Sequence, residues 1–188
     1  MNYNFINKIN GWIVFTIATI AYMLTIEDTA SLWDCGEYIT AAYKLEVGHP
    51  PGAPLFMILG RVFSFFAAPE NVAFYINSLS ALSSSFTILF MFWSITMLLK
   101  KLILQGKNEL ENHDKIGIFV AATIGSLSYT FTDSFWFSAV EGEVYAMASL
   151  FTAVIFWAIL KWDEEMGELQ ANRLSSDCLL YTSPSPRD

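Results

Sequence analysis

The chain has 188 residues, 54% of them hydrophobic and 16% aromatic, and a formal net charge of -8. That much apolar surface exceeds a soluble average and points to lipid. The acidic balance argues against nucleic acid as a partner, since phosphate binding needs clustered lysine and arginine. The two cysteines, Cys35 and Cys178, give neither a disulfide framework nor a metal-binding spacing.

The first apolar segment, Gly11 to Ile26, carries no charge but is shorter than the ~20 residues a bilayer asks for. Lys8 gives it the basic start of a signal peptide. No small-x-small cleavage site follows, and Thr29-Ala30-Ser31 after Glu27-Asp28 is a poor substitute, so an uncleaved signal anchor is expected.

Next comes the acidic motif Trp33-Asp34-Cys35-Gly36-Glu37, at the mouth of that span. Carboxylates are costly near hydrocarbon, so such a motif is more often functional than decorative. On a helix, Asp34, Glu37 and Tyr38 share one face. Asp-x-x-Glu is also a capping pattern, with Ser31 as an alternative cap. The two roles do not exclude each other, because a helix start also holds and aims a carboxylate.

Gly48-His49-Pro50-Pro51-Gly52-Ala53-Pro54 then fixes a sharp reversal. Its plain role is to return the chain to the membrane; a hydrogen-bonded structural role for His49 stands beside contact with substrate. Pro54 suits the first turn of a helix running from Leu55 to Phe66 along the outer surface. Arg61 on that helix could reach a lipid phosphate or snorkel. Leu79 to Leu99 is an uncharged second span, in which serines 83 to 85 read as helix-packing residues. The loop from Gln105 to Lys115 mixes signs as a solvated connector does. Ile116 to Phe131 is a third span. Val144 to Leu160 is a fourth, with Lys161 and Trp162 as interfacial anchors.

Between the last two spans lies the aromatic run Phe135-Trp136-Phe137, an interfacial belt by composition, followed by Glu141-Gly142-Glu143-Val144-Tyr145. Glu141 and Glu143 could hold a divalent cation or bind sugar hydroxyls; spacing alone does not choose between these.

With these four spans, Lys8, Lys100, Lys101, Lys107, Lys115, Lys161 and Arg173 fall on one side, and only Lys44 and Arg61 on the other. The positive-inside rule then makes the N-terminus cytoplasmic. Glu27, Asp28, Asp34, Glu37, Glu46, Glu70, Asp133, Glu141 and Glu143 form an acidic outer face. The expected fold is all-α: a polytopic helical membrane protein with about four transmembrane helices and outer juxtamembrane helices.

At the acidic motif, at Tyr43 to Leu55 and at Ala139 to Tyr145, the chain resembles bacterial membrane proteins grouped as domain of unknown function 2723. That group is similar to protein O-mannosyltransferases of the GT-C architecture, and the resemblance covers roughly residues 5 to 170. It implies transfer of a sugar, with mannose as the family's suggestion, from a polyprenyl-phosphate carrier to a Ser or Thr hydroxyl of an envelope or secreted protein. The reaction would take place on the outer face of a bacterial inner membrane, with the acidic loops in the periplasm. Asp34 matches the family's acidic position and would be the general base. Glu37 would support it as a catalytic-site carboxylate. His49, Arg61, Glu141, Glu143 and Tyr145 are the candidate substrate-binding residues. No organic cofactor is expected; a divalent metal held by carboxylates, or Arg61, could stabilise the leaving phosphate.

The chain departs from that family in having about half its usual number of spans. Residues 1–174 read as the N-terminal part of a GT-C-like domain, and an N-terminal fragment of this kind would be inactive alone. The segment from residue 175 to 188 resembles translated sequencing-adapter DNA and is expected to be non-native. A second functional class is a transporter or a non-enzymatic subunit of an envelope complex, since membrane carboxylates also relay protons. Transport calls for ionisable groups near the bilayer midplane, whereas the acids here cluster at the outer ends.

Overall fold

The computed structural model describes residues 2–182 except 32, 33, 51, 106 and 108, with the backbone alone at 168 and 170–182. Trp33 and Pro51 of the two motifs, and residues 183–188 of the tail, lie outside the described residues. Among the described residues the regular structure is entirely helical: α1 Tyr3–Leu24, α2 Cys35–Lys44, α3 Pro54–Ser64, α4 Val72–Leu104, α5 Asn112–Thr130, α6 Asp133–Val140 and α7 Val144–Thr182. A short 3-10 turn, Pro69–Asn71, leads into α4.

The long helix α4 is the axis of the molecule, with α1, α5 and α7 packed along it. It is apolar all round, which suits a helix enclosed by others. Two of its buried serines turn their hydroxyls back onto their own helix: Ser83 donates to the Leu79 carbonyl (2.7 Å) and Ser85 to that of Ala81 (2.8 Å). The buried Ser84 hydroxyl between them has no hydrogen-bond partner among the described residues. Ser83 and Ser85 thereby satisfy themselves and present little bulk, as expected of packing residues. α1 buries Gly11, Val14, Ala18 and Tyr22, a stripe of helical spacing. A side chain at position 11 would collide with the Trp93 indole, so glycine sets the approach of α1 to α4 there.

Among the described residues, two helices are long and apolar enough to cross a membrane, α4 with its leading turn (Pro69–Leu104) and the Val144–Gly167 part of α7. The other two expected spans form helices of 22 and 19 residues, about 33 and 28 Å long at ~1.5 Å per residue. Polar first turns dilute their apolar runs: Asn4, Asn7 and Lys8 in α1, and Asn112, His113, Asp114 and Lys115 in α5. α7 continues as one helix across the boundary expected at residue 175.

The stretch from Leu55 to Phe66 forms a surface helix with Pro54 in its first turn, as its sequence indicates. α2 and α3 pack on each other and on the start of α4, around Cys35, Tyr38, Ala42, Phe56, Met57 and Ile76. A Cβ at Gly60 would come within 2.9 Å of that of Ala42. Glycine therefore permits the close α2–α3 crossing that sets the layer over the bundle.

The bundle consequently has two distinct ends. Tyr3, Thr96, Lys100, Glu164 and Asp114 mark the basic end, where the Tyr3 hydroxyl donates to the Thr96 carbonyl (3.3 Å) and Lys100 pairs with Glu164 (2.6 Å). At the other end the Tyr22 hydroxyl donates to the Thr130 carbonyl (3.0 Å), and the Glu27 N–H to the Val140 carbonyl (3.1 Å). The acidic motifs sit there.

Candidate functional site

Asp34 occupies the N-cap position of α2 but its side chain makes no capping bond. Nor does Glu37, in the first turn, complete a capping box. Its carboxylate turns instead to His49, accepting the backbone N–H (2.7 Å) through Oε1 and facing Nδ1 (3.1 Å) through Oε2. Of the two roles the motif allowed, capping is the one Asp34 does not perform, so its carboxylate, 60% exposed, faces outward.

The proline turn brings His49 to this place. The Gly52 N–H donates to the His49 carbonyl (2.8 Å), and Gly52 has φ +70°, in the region where a side chain is strained. Held this way, His49 stands between the two acids, with Nε2 3.9 Å from Asp34 Oδ2. The His49 N–H, and then its ring, hold the Glu37 carboxyl below the usual carboxylate range. Charge-assisted bonds to an ionised carboxylate have this effect.

Asp34, Glu37 and His49 can each offer one ligand atom within 4.8 Å of the others. Two carboxylates and an imidazole suit a divalent cation by chemistry, although such an ion would compete with His49 for Glu37. Tyr38 lies beneath, its ring 5.8 Å from that of His49 and edge-on to Phe56. Burial first, and then the charges of Asp34, Tyr145, Glu143 and Glu37, push its phenol up, so that it stays a proton donor.

The second acidic pair approaches from the α6–α7 connection. Glu141 ends α6, and Glu143 donates its N–H back to the Glu141 carbonyl (2.9 Å) in a tight turn. Burial, then the charges of Glu141 and Asp34, raise the Glu143 carboxyl above its ordinary value. The field of Asp34 thus reaches the second loop: carboxylates about a hundred residues apart in sequence share one electrostatic environment. Tyr145 is exposed one step further along α7, at the rim of an apolar cavity of about 550 Å³ that also meets Tyr129, Met91, Leu98 and Phe156.

Arg61 is not brought to this cluster. Its guanidinium donates to the Tyr43 carbonyl (2.5 Å) at the far end of α2 and lies over the rings of Tyr43 and Phe65. Nine residues of helix separate Tyr43 from Asp34, about 13 Å of axial rise. The α2–α3 packing fixes that direction, and the arginine clamps the two helices together.

The residue the sequence reading missed is Asn77. It is fully buried in α4, and its amide N–H groups donate to the carbonyls of Glu27 (2.6 Å) and Thr29 (3.2 Å). The Cys35 thiol, 3.9 Å away, donates to its Oδ1. A Cβ on Gly142 would lie 2.7 Å from that same oxygen. One amide thereby ties the chain before Asp34 and the start of α2 to the central helix. Gly142 lets the Glu141–Glu143 turn close against it, and the Ser80 hydroxyl donates to the Glu143 carbonyl (3.3 Å). The available signal was an amide within the apolar run of a long helix, since a buried amide requires partners.

The chain is 28% identical over 148 residues to protein O-mannosyl-transferase tmem260 of Dictyostelium discoideum, covering 77% of the chain and 16% of that relative. It is 23% identical over 163 residues to protein O-mannosyl-transferase TMEM260 of Mus musculus, covering 87% of the chain and 21% of that relative. The chain thus spans about a sixth to a fifth of the length of these curated relatives. No solved structure matches it. Residues 34–181, from Asp34 to the far part of α7, match the family described as the protein O-mannosyl-transferase TMEM260 N-terminal domain, and the chain belongs to that family.

Proposed function

We propose that the acidic end is the acceptor side of a membrane glycosyltransferase active site, working in a protein of the relatives' length. Sugar, with mannose the first candidate, passes from a polyprenyl-phosphate carrier to a serine or threonine hydroxyl of a protein on the outer face. Asp34 takes the hydroxyl proton as the oxygen attacks the anomeric carbon. The bond from that carbon to the phosphate oxygen breaks with inversion, and the carrier phosphate leaves with the electron pair. Phosphate is already a good leaving group, so no strong acid is required.

The observation that carries this reading is the exposed, uncapped Asp34 carboxylate set beside His49 and Glu37. Membership of a family named for protein O-mannosyl transfer adds to it. Glu37 positions His49, and His49 contacts the acceptor or the phosphate. Glu141 and Glu143 bind sugar hydroxyls from the second loop. Tyr145 guides the lipid toward the apolar cavity between α4 and α7. Arg61 is assigned to holding α2 on α3 rather than to the leaving group. α1 and α5 complete four spans with the N-terminus cytoplasmic, a reading supported by the segregation of lysines to one end of the bundle. Residues 175–188 are treated as foreign to this design.

The test supplies membranes holding a chain extended to the relatives' length with polyprenyl-phosphate-linked labelled mannose and envelope proteins. Label should reach protein with the unaltered chain and fall by roughly 10²–10⁴-fold in Asp34→Asn, the range for loss of a general base. Equal transfer by both removes Asp34 from the mechanism. Transfer by neither, with other donor sugars also tried, turns the reading toward transport or scaffolding.

A further inference from the structure

At the opposite end of the bundle from Asp34, His49 and Glu143, a cavity of about 590 Å³ opens between the first turns of α1 and the facing parts of α4 and α7. Its wall is aromatic. Trp93 stands between two other indoles, 6.3 Å from Trp12 and 6.1 Å from Trp157, and its Nε1–H donates to the Asn7 carbonyl (3.4 Å). Its charged lining is Lys8, Lys100, Lys161 and a single acid, Glu164.

Glu164 is already shared. It accepts from Lys100 at 2.6 Å and lies 3.4 Å from Lys161. Lys161 also reaches Glu165 at 3.7 Å, a weak exposed pair. Lys8 has no carboxylate partner among the described residues. With Lys100 set against Glu164 and Lys161 against Glu164 and Glu165, Lys8 leaves a surplus of one positive charge at the cavity. In addition, Asn7 lines it, and its Oδ1 is buried without a hydrogen-bond donor. A second cavity of about 520 Å³ shares Met97, Lys100 and Glu164 with the first and extends along Leu98, Leu104 and Leu160. The site therefore offers unsatisfied positive charge, an unsatisfied acceptor, an indole wall and an adjoining apolar trough.

We propose that this end holds an anionic phospholipid. Its phosphate is taken by Lys8, Lys100 and Lys161, a headgroup hydroxyl donates to Asn7, and an acyl chain lies in the trough along α4 and α7. The complementarity is one of charge and of level: lysines and tryptophans gather where a bilayer's headgroups meet its hydrocarbon. The proposal rests on the membrane reading given above and is independent of the chemistry at Asp34.

The experiment reconstitutes the chain in phosphatidylcholine nanodiscs carrying a minor share of phosphatidylglycerol. Insertion is checked first by resistance to alkaline extraction from vesicles of the same lipids. The lipid retained after gentle detergent extraction is then read by native mass spectrometry. Phosphatidylglycerol should be retained over phosphatidylcholine. Retention should fall about fivefold for each of Lys8→Gln and Lys161→Gln, the effect of one lysine near an anionic headgroup. Both residues are exposed, and the insertion check is applied to each variant. Lys107→Gln and Lys115→Gln, outside the cavity, should leave retention unchanged.

An equal fall in these two controls would reduce the effect to general surface charge and overturn the site. Equal retention of both lipids would do the same, as would complete displacement by inorganic phosphate, which would make the ligand a free anion. Failure to insert would instead overturn the membrane reading and the proposal with it.

Discussion

The two ends of the bundle differ in charge balance and in construction: the basic end sets its lysines against nearby acids, whereas the acidic end has few cations to offset its carboxylates. At the basic end the charged groups stand on long helices and meet because those helices pack: Lys100 on α4 finds Glu164 on α7, and Lys101 finds Asp163. At the acidic end they stand in short helices and turns, and meet because one buried amide and one proline turn draw the loops together. Charge at a helix terminus tolerates the loss of any single contact. A loop site depends on a few buried ones, so its geometry is sharper and its failure more abrupt.

That contrast can be broken most severely at Asn77. Asn77→Ala removes the donors to the part-buried carbonyls of Glu27 and Thr29 and the acceptor of the buried Cys35 thiol, at about 1–2 kcal/mol each. A loss of about 2–5 kcal/mol in stability is expected, read as a lower midpoint of thermal unfolding in detergent. Gly142→Val should be comparably harmful, because its side chain meets the same amide. If either variant matched wild type, the amide would not be holding the site.

A smaller effect is expected at Gly52→Ala. The added Cβ meets nothing within 4 Å, so the cost is conformational, about 1 kcal/mol for a residue with left-handed φ. Because that turn sets His49, transfer by the extended chain should drop while heat stability barely moves. A stability loss without an activity loss would separate His49 from the site.

The acid range sharpens the comparison further. The Glu37 carboxyl is held low, so its contribution to stability is present above its unfolded pKa and lost as pH falls through the lower folded value. The Glu143 carboxyl is raised, so its contribution is present below the unfolded pKa and lost as pH rises through the folded one. Glu143→Gln should therefore stabilise the chain more at about pH 7 than at about pH 4, whereas Glu37→Gln should destabilise it more at about pH 7 than at about pH 4. Thermal unfolding across that range checks both signs. Asp34→Asn should lower the Glu143 value only in part, since burial is the larger cause.

The smallest effect belongs to the basic end. Lys101→Ala breaks an exposed pair with Asp163 and should change stability by less than about 1 kcal/mol. A larger change would mean that this end, too, depends on single contacts.

Local features of this design were legible in the sequence. Pro54 announces α3, the uncharged run from Leu79 announces α4, and the order of acidic motif and proline turn points to Asp34, Glu37 and His49. Pairings across the fold were not. Arg61 shares the segment between α1 and α4 with Asp34, yet the α2–α3 crossing carries it to Tyr43, and no spacing rule reports a crossing direction. α1 and α5 were expected as clear spans, but their polar first turns leave them less apolar than α4 and α7. Asn77 went unnoticed because its partners are backbone carbonyls 48 and 50 residues away, which have no side-chain identity to match.

The bond from the Glu27 N–H to the Val140 carbonyl also bears on biosynthesis. A ribosome delivers Asp34 long before Val140, Gly142 and Glu143. Until α5 and α6 have emerged, the stretch after α1 has neither this tether nor the turn that closes over Asn77. The Glu141–Glu143 turn should therefore join the acidic end last, and a nascent chain released ahead of residue 131 should leave Gly142's place over Asn77 open to solvent while its first two long helices are already in place.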